Sequence, residues 1–348
     1  MKFGPVAVDR ARGKILGHNV AGPDGRRLLR KGRPLSGGDV EALRALGRDV
    51  VYVAEPEPGD VGENEAAQRV ARAAAGASIA PGAAAAGRVN LFAAKAGVLR
   101  VQTARALRIN LSEGISLATL PPHAPVSARQ IVGTVKVIPY AVAEKLLRRV
   151  EAAARAGGPL LSIDPLRPRR VALILSGGAS VRDRVLRDFE PPLRARVESL
   201  GSVLASSEFV PLQDESGEAL LAEALARQAK NGAQLILLAG ETAIVDARDI
   251  APRAIRRAGG EVAAFGAPVD PGNLLLVGYL GAIPVIGAPG CARSRKVNVI
   301  DWVLPRLLVG ERLKRRDIAA LGVGGLLEDF PERPMPRSAR PSAQTPPD

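Results

Sequence analysis

The run Val171-Ala172-Leu173-Ile174-Leu175, followed at once by Ser176-Gly177-Gly178-Ala179-Ser180, decides how the rest of the chain is read. Five consecutive apolar residues suit a strand buried on both faces, as in a parallel sheet, and the glycines after it mark a turn. Further along, the pattern repeats. A helical stretch, started or interrupted by Pro191-Pro192, ends near Gly201, and a strand over residues 202–210 follows. A helix from about Ser216 places Leu220, Leu221, Ala224 and Leu225 on one stripe and closes near Gly232. A second apolar run over 235–238, a helix over 250–258, a strand over 261–265 and a last helix through Trp302 and Leu308 complete the series. Strands alternating with helices predict an α/β unit with a mostly parallel, helix-covered sheet and right-handed crossovers.

Residues 274–292 are free of charge over a span long enough to cross a bilayer. Gly278, Gly281, Pro284, Gly287, Pro289 and Gly290 interrupt that span. It therefore reads as a buried hairpin, with strands over 274–278 and 283–287 and a turn near Leu280-Gly281.

Upstream lies a Pro/Arg-rich joint, Asp164-Pro165-Leu166-Arg167-Pro168-Arg169-Arg170, where a domain boundary is expected. Residues 1–60 form a turn-rich α+β segment. In it Ser36 and Asp39 have the spacing of a capping box, Gly47 closes the helix, and a strand over 49–53 follows. Residues 61–165 read as an Ala-rich helix over 63–76, a β-rich stretch from Gly87 to about Ala143 and a helix over 141–156. The α/β unit covers 166–330. The last residues, 331–348, hold six prolines and no apolar period, which predicts a disordered tail.

Composition narrows the function. Of 348 residues 47% are hydrophobic, so the chain is globular, and Gly and Pro together reach about 19%, so turns are many. Only 3% are aromatic, which argues against reading nucleic acid by base stacking. The net charge of +14 attracts anions, but the arginines are scattered and no DNA-binding motif is present. A single cysteine, Cys291, excludes an internal disulfide and suits a reducing cytoplasm. Two histidines far apart, His18 and His123, exclude a His-rich metal site. The N-terminus has no apolar signal core, so export is not expected.

In such a sheet, ligands bind beyond the C-terminal ends of the strands. Three turns fall there: 176–180, 239–249 and 289–296. Glycine lets backbone approach a phosphate, and helix N-termini present free N–H groups. Arg293, Arg295 and Lys296 suit a phosphate; Glu241, Asp246 and Asp249 repel one unless a cation such as Mg²⁺ intervenes. Asp249 is equally a helix N-cap, and Glu241 and Asp246 equally solvated loop acids. Cys291 is a small buried hydrophobe or a ligand contact. Ser176 and Ser180 have no partnering base, so a hydrolase triad is not supported.

Several stretches resemble the MoaB/Mog-type molybdopterin-binding domain, and more narrowly proteins related to molybdopterin molybdotransferase. They are Asp249-Ile250-Ala251-Pro252 after a Gly-Glu-Thr turn, Pro268-Val269-Asp270-Pro271-Gly272-Asn273-Leu274-Leu275, and Gly287-Ala288-Pro289-Gly290-Cys291-Ala292-Arg293-Ser294. Asn298 with Asp301-Trp302-Val303-Leu304 and Gly322-Val323-Gly324-Gly325-Leu326-Leu327 extend the likeness. Gly59-Asp60-Val61 with Glu63-Asn64-Glu65-Ala66-Ala67, and Thr134-Val135-Lys136-Val137-Ile138-Pro139, carry it into the N-terminal half.

The resemblance implies a three-layer C-terminal domain behind a smaller α+β, β-rich region, and a pterin ligand: molybdopterin or the finished molybdenum cofactor. It implies contacts from Ser176, Gly177, Gly178, Gly240, Glu241, Thr242, Asp249, Pro271, Gly272, Asn273, Pro289, Gly290, Cys291 and Ser294. Asp246 and Asp249 are candidate catalytic residues, with Glu241 and Asp246 candidate ligands of Mg²⁺. A molybdoenzyme or another cofactor-biosynthesis protein is the implied partner, and a homo-oligomer is expected. Two departures stand out. Molybdotransferases carry Thr-Gly-Asp-Glu after the first strand where this chain has Ser176-Gly177-Gly178-Ala179, and Glu241 replaces the second glycine of the next turn. A cofactor-binding protein, an active molybdenum insertase and a scaffold with a vestigial pocket therefore all stand as readings.

Overall fold

The protein is described from a computed structural model, which covers residues 1–212 and 216–327; the expected disordered tail lies outside the described residues. The chain divides into two compact units, one from Met1 to Leu166 and one from Arg167 onward.

The first unit holds two apolar cores. One, built from residues between Val8 and Val53, lies under an antiparallel sheet of Lys2–Ala7, Val50–Glu55 and Ile15–Leu16. Its helix, Gly37–Ala45, starts with the expected capping box, in which Ser36 and Asp39 each satisfy the other's backbone N–H. The second core lies between helices Glu63–Ala74 and Glu144–Arg155 and the antiparallel strands Arg88–Ala93 and Ile131–Val137. The two helices are tied by Arg69, which donates to Glu144 at 2.7 Å and to Glu151 at 2.8 Å. A helix at Thr103–Asn110 interrupts what the sequence suggests is mostly strand.

The second unit is α/β. Numbered within it, the elements are β1 (Arg170–Gly177), α1 (Arg182–Ser199), β2 (Val203–Pro211), α2 (Ser216–Lys230), β3 (Leu235–Gly240), α3 (Ile250–Arg257), β4 (Glu261–Phe265), β5 (Leu276–Leu280), β6 (Ile283–Gly287) and α4 (Val299–Leu308). They build one six-stranded mixed sheet in the order β2-β1-β3-β6-β5-β4. Four strands run parallel, while β5 and β4 close one side as antiparallel neighbours. The uncharged stretch after Asn273 is the expected hairpin, β5 paired with β6 and buried.

Strand alternation explains why β1 and β3 are apolar throughout. Ala172, Ile174, Ile236 and Leu238 face α2 and α3, and the intervening Leu173, Leu175, Leu235 and Leu237 are just as buried on the other side. Helix α1 runs unbroken through Pro191 and Pro192, seated on β1 and β2, where the prolines were expected to start or interrupt it. Phe189, Leu193 and Val197 are buried along it, and that burial outweighs the weak helix propensity of proline. Among the described residues, no helix is long and apolar enough to cross a membrane.

Candidate functional site

From β1 the chain leaves to β2 on one side, then returns past β1 to β3 on the other. The C-terminal ends of β1 and β3 thus flank the switch point of the sheet, where a crevice is expected. A cleft lies there, lined by Ser176, Gly240, Thr242, Ile244, Asp249 and Ala288 among others. These residues come from the first two turns singled out in the sequence and from Ala288, immediately before the third. Its enclosed volume is about 50 Å³, enough for a few waters. Leu212, Leu221, Leu238 and Ile250 give it apolar walls.

Glycine 240 fixes the floor. A Cβ at this position would lie 2.6 Å from Ser176 Oγ and 2.8 Å from the Ser176 carbonyl oxygen, so any side chain forces β1 and β3 apart. The next amide, Glu241 N–H, donates to that same carbonyl at 2.9 Å. At the neighbouring strand, a Cβ on Gly287 would meet Ile244 Cδ1 at 2.7 Å. Ile244 thus anchors the loop 241–249 on β6, a role its sequence gives no sign of.

The acids of this loop are already partnered. Asp249 is the N-cap of α3: its Oδ1 accepts from Ile250 N–H at 3.1 Å and its Oδ2 from Val245 N–H at 3.0 Å. Asp246 accepts from the backbone and the guanidinium of Arg248, whose hydrogen bonds hold its carboxyl below the usual aspartate range. Glu241 turns back onto the first turn, accepting from Gly178 N–H at 3.2 Å and from Arg184 at 3.0 Å. Among the described residues, no group of three His, Cys, Asp or Glu side chains is placed to hold a metal ion.

The third turn is shaped from beneath. Arg196 of α1 is only 8% exposed and uses all five of its N–H donors. Nε donates to Asp301 at 3.0 Å, Nη1 to the carbonyls of Pro192 and Ala292, and Nη2 to those of Ser294 and Lys296. Asn298 and Asp301, noticed as a sequence pattern, form the capping box of α4. Arg293, Arg295 and Lys296 are exposed around this turn, and Cys291 is half-buried within it. Arg293 also donates to the Gly290 carbonyl and lies 5.7 Å from the Phe189 ring.

Pro271, Gly272 and Asn273 do not line the cleft beside Gly240. Gly272 instead seats helix α4: with φ of 145° it leaves room for Val299, whose Cβ would stand 2.4 Å from a side chain there. The Pro271 carbonyl accepts from Val299 N–H. Asn273 contributes its carbonyl to Ala267 N–H. The Gly322–Leu327 pattern has a structural role too, since Asp270 exchanges backbone hydrogen bonds with Gly325 and Leu327. Gly325 has no space for a Cβ against the Pro268 carbonyl, 2.3 Å away.

Comparison with known proteins gives three findings. Residues 5–55 match a family described as a domain of unknown function, DUF8806. No curated protein matches the chain in sequence. Among solved structures, a molybdenum cofactor biosynthesis protein from Pyrococcus furiosus aligns over 92% of this chain at 13% identity and a TM-score of 0.23. This chain spans 65% of that protein's length. A molybdopterin biosynthesis MoeA protein from Pyrococcus horikoshii aligns over 89% of this chain and 74% of its own, at 10% identity and a TM-score of 0.26. Superpositions this loose say nothing of what the present chain does.

Proposed function

We propose that the second unit is a MoaB/Mog-like domain that binds molybdopterin or its molybdenum form across the three turns at the switch point. It would act in maturation of the cofactor or its delivery to a molybdoenzyme. The observation that carries this reading is the meeting of Ser176, Gly240, Thr242, Asp249 and Ala288 in one cleft at the ends of three parallel strands. Of the stretches that resemble molybdopterin-binding domains, 249–252 supplies Asp249, Ile250 and Ala251 to the cleft and 287–294 supplies Ala288. The cleft is too small to enclose a pterin, so the ligand lies over its mouth, with its ring edge toward the polar groups of Ser176 and Thr242. Its phosphate then falls near the exposed Arg293, Arg295 and Lys296.

Binding without turnover is favoured over molybdenum insertion. The insertase reading needs Glu241, Asp246 and Asp249 as a magnesium set, yet each has its own protein partners. The residues present do not fit that centre. The test is to purify the protein from a host that makes molybdopterin, release and oxidise any bound pterin for fluorescence, and measure molybdenum in the same sample. Pterin with near-stoichiometric molybdenum identifies a carrier of finished cofactor, and pterin without metal places the protein before insertion. Absence of pterin overturns the proposal.

A further inference from the structure

The Glu241 carboxylate lies directly on the backbone of the first turn. Its Oε2 accepts from Gly178 N–H at 3.2 Å, and Oε1 is paired with Arg184 at 3.0 Å. A Cβ on Gly177 would meet Glu241 Cβ at 2.9 Å and Oε2 at 3.2 Å, so the absence of a side chain at 177 is what admits this carboxylate. An amide N–H, a guanidinium and a glycine backbone open to close approach are the groups that recognise an external anion. Here a residue from the end of β3 supplies the anion internally.

We infer that Glu241 is a specificity-determining residue that fills the anion position of the Ser176–Gly178 turn and bars phosphates from it. This deepens the molybdopterin reading and rests on it for the ligand, because it leaves the third turn as the place for the ligand's phosphate. A negatively charged group approaching the first turn meets a carboxylate already holding both donors, and like charges at contact distance disfavour it. Removing the carboxylate leaves Gly178 N–H and Arg184 without their acceptor and turns the same spot into a phosphate site.

The experiment uses the full chain labelled with ¹⁵N-glycine and inorganic phosphate as probe. The wild-type Gly178 amide resonance should stay unmoved by phosphate. In Glu241→Ala it should shift on titration, with affinity at least tenfold above wild type, and the double variant Glu241→Ala, Arg184→Ala should lose the gain. Should Glu241→Ala fail to fold, Glu241→Gln keeps an acceptor for Gly178 while removing the charge and should show the same gain in smaller measure. A wild-type Gly178 shift as strong as the variant's, or no gain in a folded variant, overturns the inference. Inorganic phosphate contains no pterin, so either result is independent of whether the chain retains molybdopterin.

Discussion

Arg196 and Asp301 meet at 3.0 Å, the guanidinium of a buried helix residue against the carboxylate that also caps α4 by accepting from Asn298 N–H. One side chain thus holds both the entry of α4 and three carbonyls of the turn before it. Arg196→Met should therefore leave Asp301 and those carbonyls without their donor. Unit stability is expected to fall by about 1–3 kcal/mol, the cost of leaving carbonyls without their donor, since the partly exposed Asp301 carboxylate can be hydrated. Arg196→Lys should recover only part, because an ammonium cannot reproduce five planar donors. Chemical denaturation of both variants checks this, and a loss under about 1 kcal/mol for the methionine variant contradicts it.

Asp249 caps α3 and holds Val245 N–H with its other oxygen. Asp249→Ala should cost about 1 kcal/mol, and Asp249→Asn, which caps nearly as well, should stay within a few tenths of wild type. Hydrogen exchange at Val245 should speed up in both variants, because asparagine has a single acceptor oxygen and keeps only the cap on Ile250. Pterin retention should fall furthest in the alanine variant, which loses the cap as well as the Val245 bond, and less in the asparagine variant, which loses the Val245 bond alone.

Gly240→Ala should destabilise the second unit by about 1–3 kcal/mol through overpacking against Ser176. Adding Ser176→Gly removes the hydroxyl but not the carbonyl oxygen 2.8 Å away, so thermal unfolding of the double variant should show no recovery.

In the first unit, hydrogen bonds from Arg69 and then Arg148 hold the Glu144 carboxyl down from the ordinary 4.5 to about 2. A folded-state value below the unfolded one stabilises above the unfolded value and is lost as pH falls through the folded one. The stabilisation is complete above about pH 4.5 and fades toward pH 2. Glu144→Gln should flatten the decline in Tm between pH 5 and 2.5 relative to wild type. An unchanged slope would mean that the pair with Arg69 does not contribute.

The parallel sheet was visible in the sequence because burial on both faces leaves apolar runs, as at 171–175 and 235–238, that no local contact is needed to interpret. The Ser36–Asp39 capping box was visible because its hydrogen bonds span only three residues. Other features depend on distance along the chain. Arg196 binds carbonyls about a hundred residues away, and Glu241 meets Arg184 across 57, so neither role has a local signature. The helix Thr103–Asn110 is not legible in the sequence because Leu107 points outward, 61% exposed, and spoils the apolar period. Topology alone places the three turns, whereas the partners of their acids depend on the folded loop.

The most direct test of the central claim compares wild type with Ala288→Trp, whose indole would fill the cleft at the ends of β1, β3 and β6. Both are purified from a molybdopterin-producing host, and the released pterin is oxidised and counted by fluorescence against protein. The account predicts pterin approaching one per chain in wild type and a loss of at least tenfold in a folded Ala288→Trp. Wild type without pterin, or a variant that retains it in full, would contradict ligand binding at this cleft.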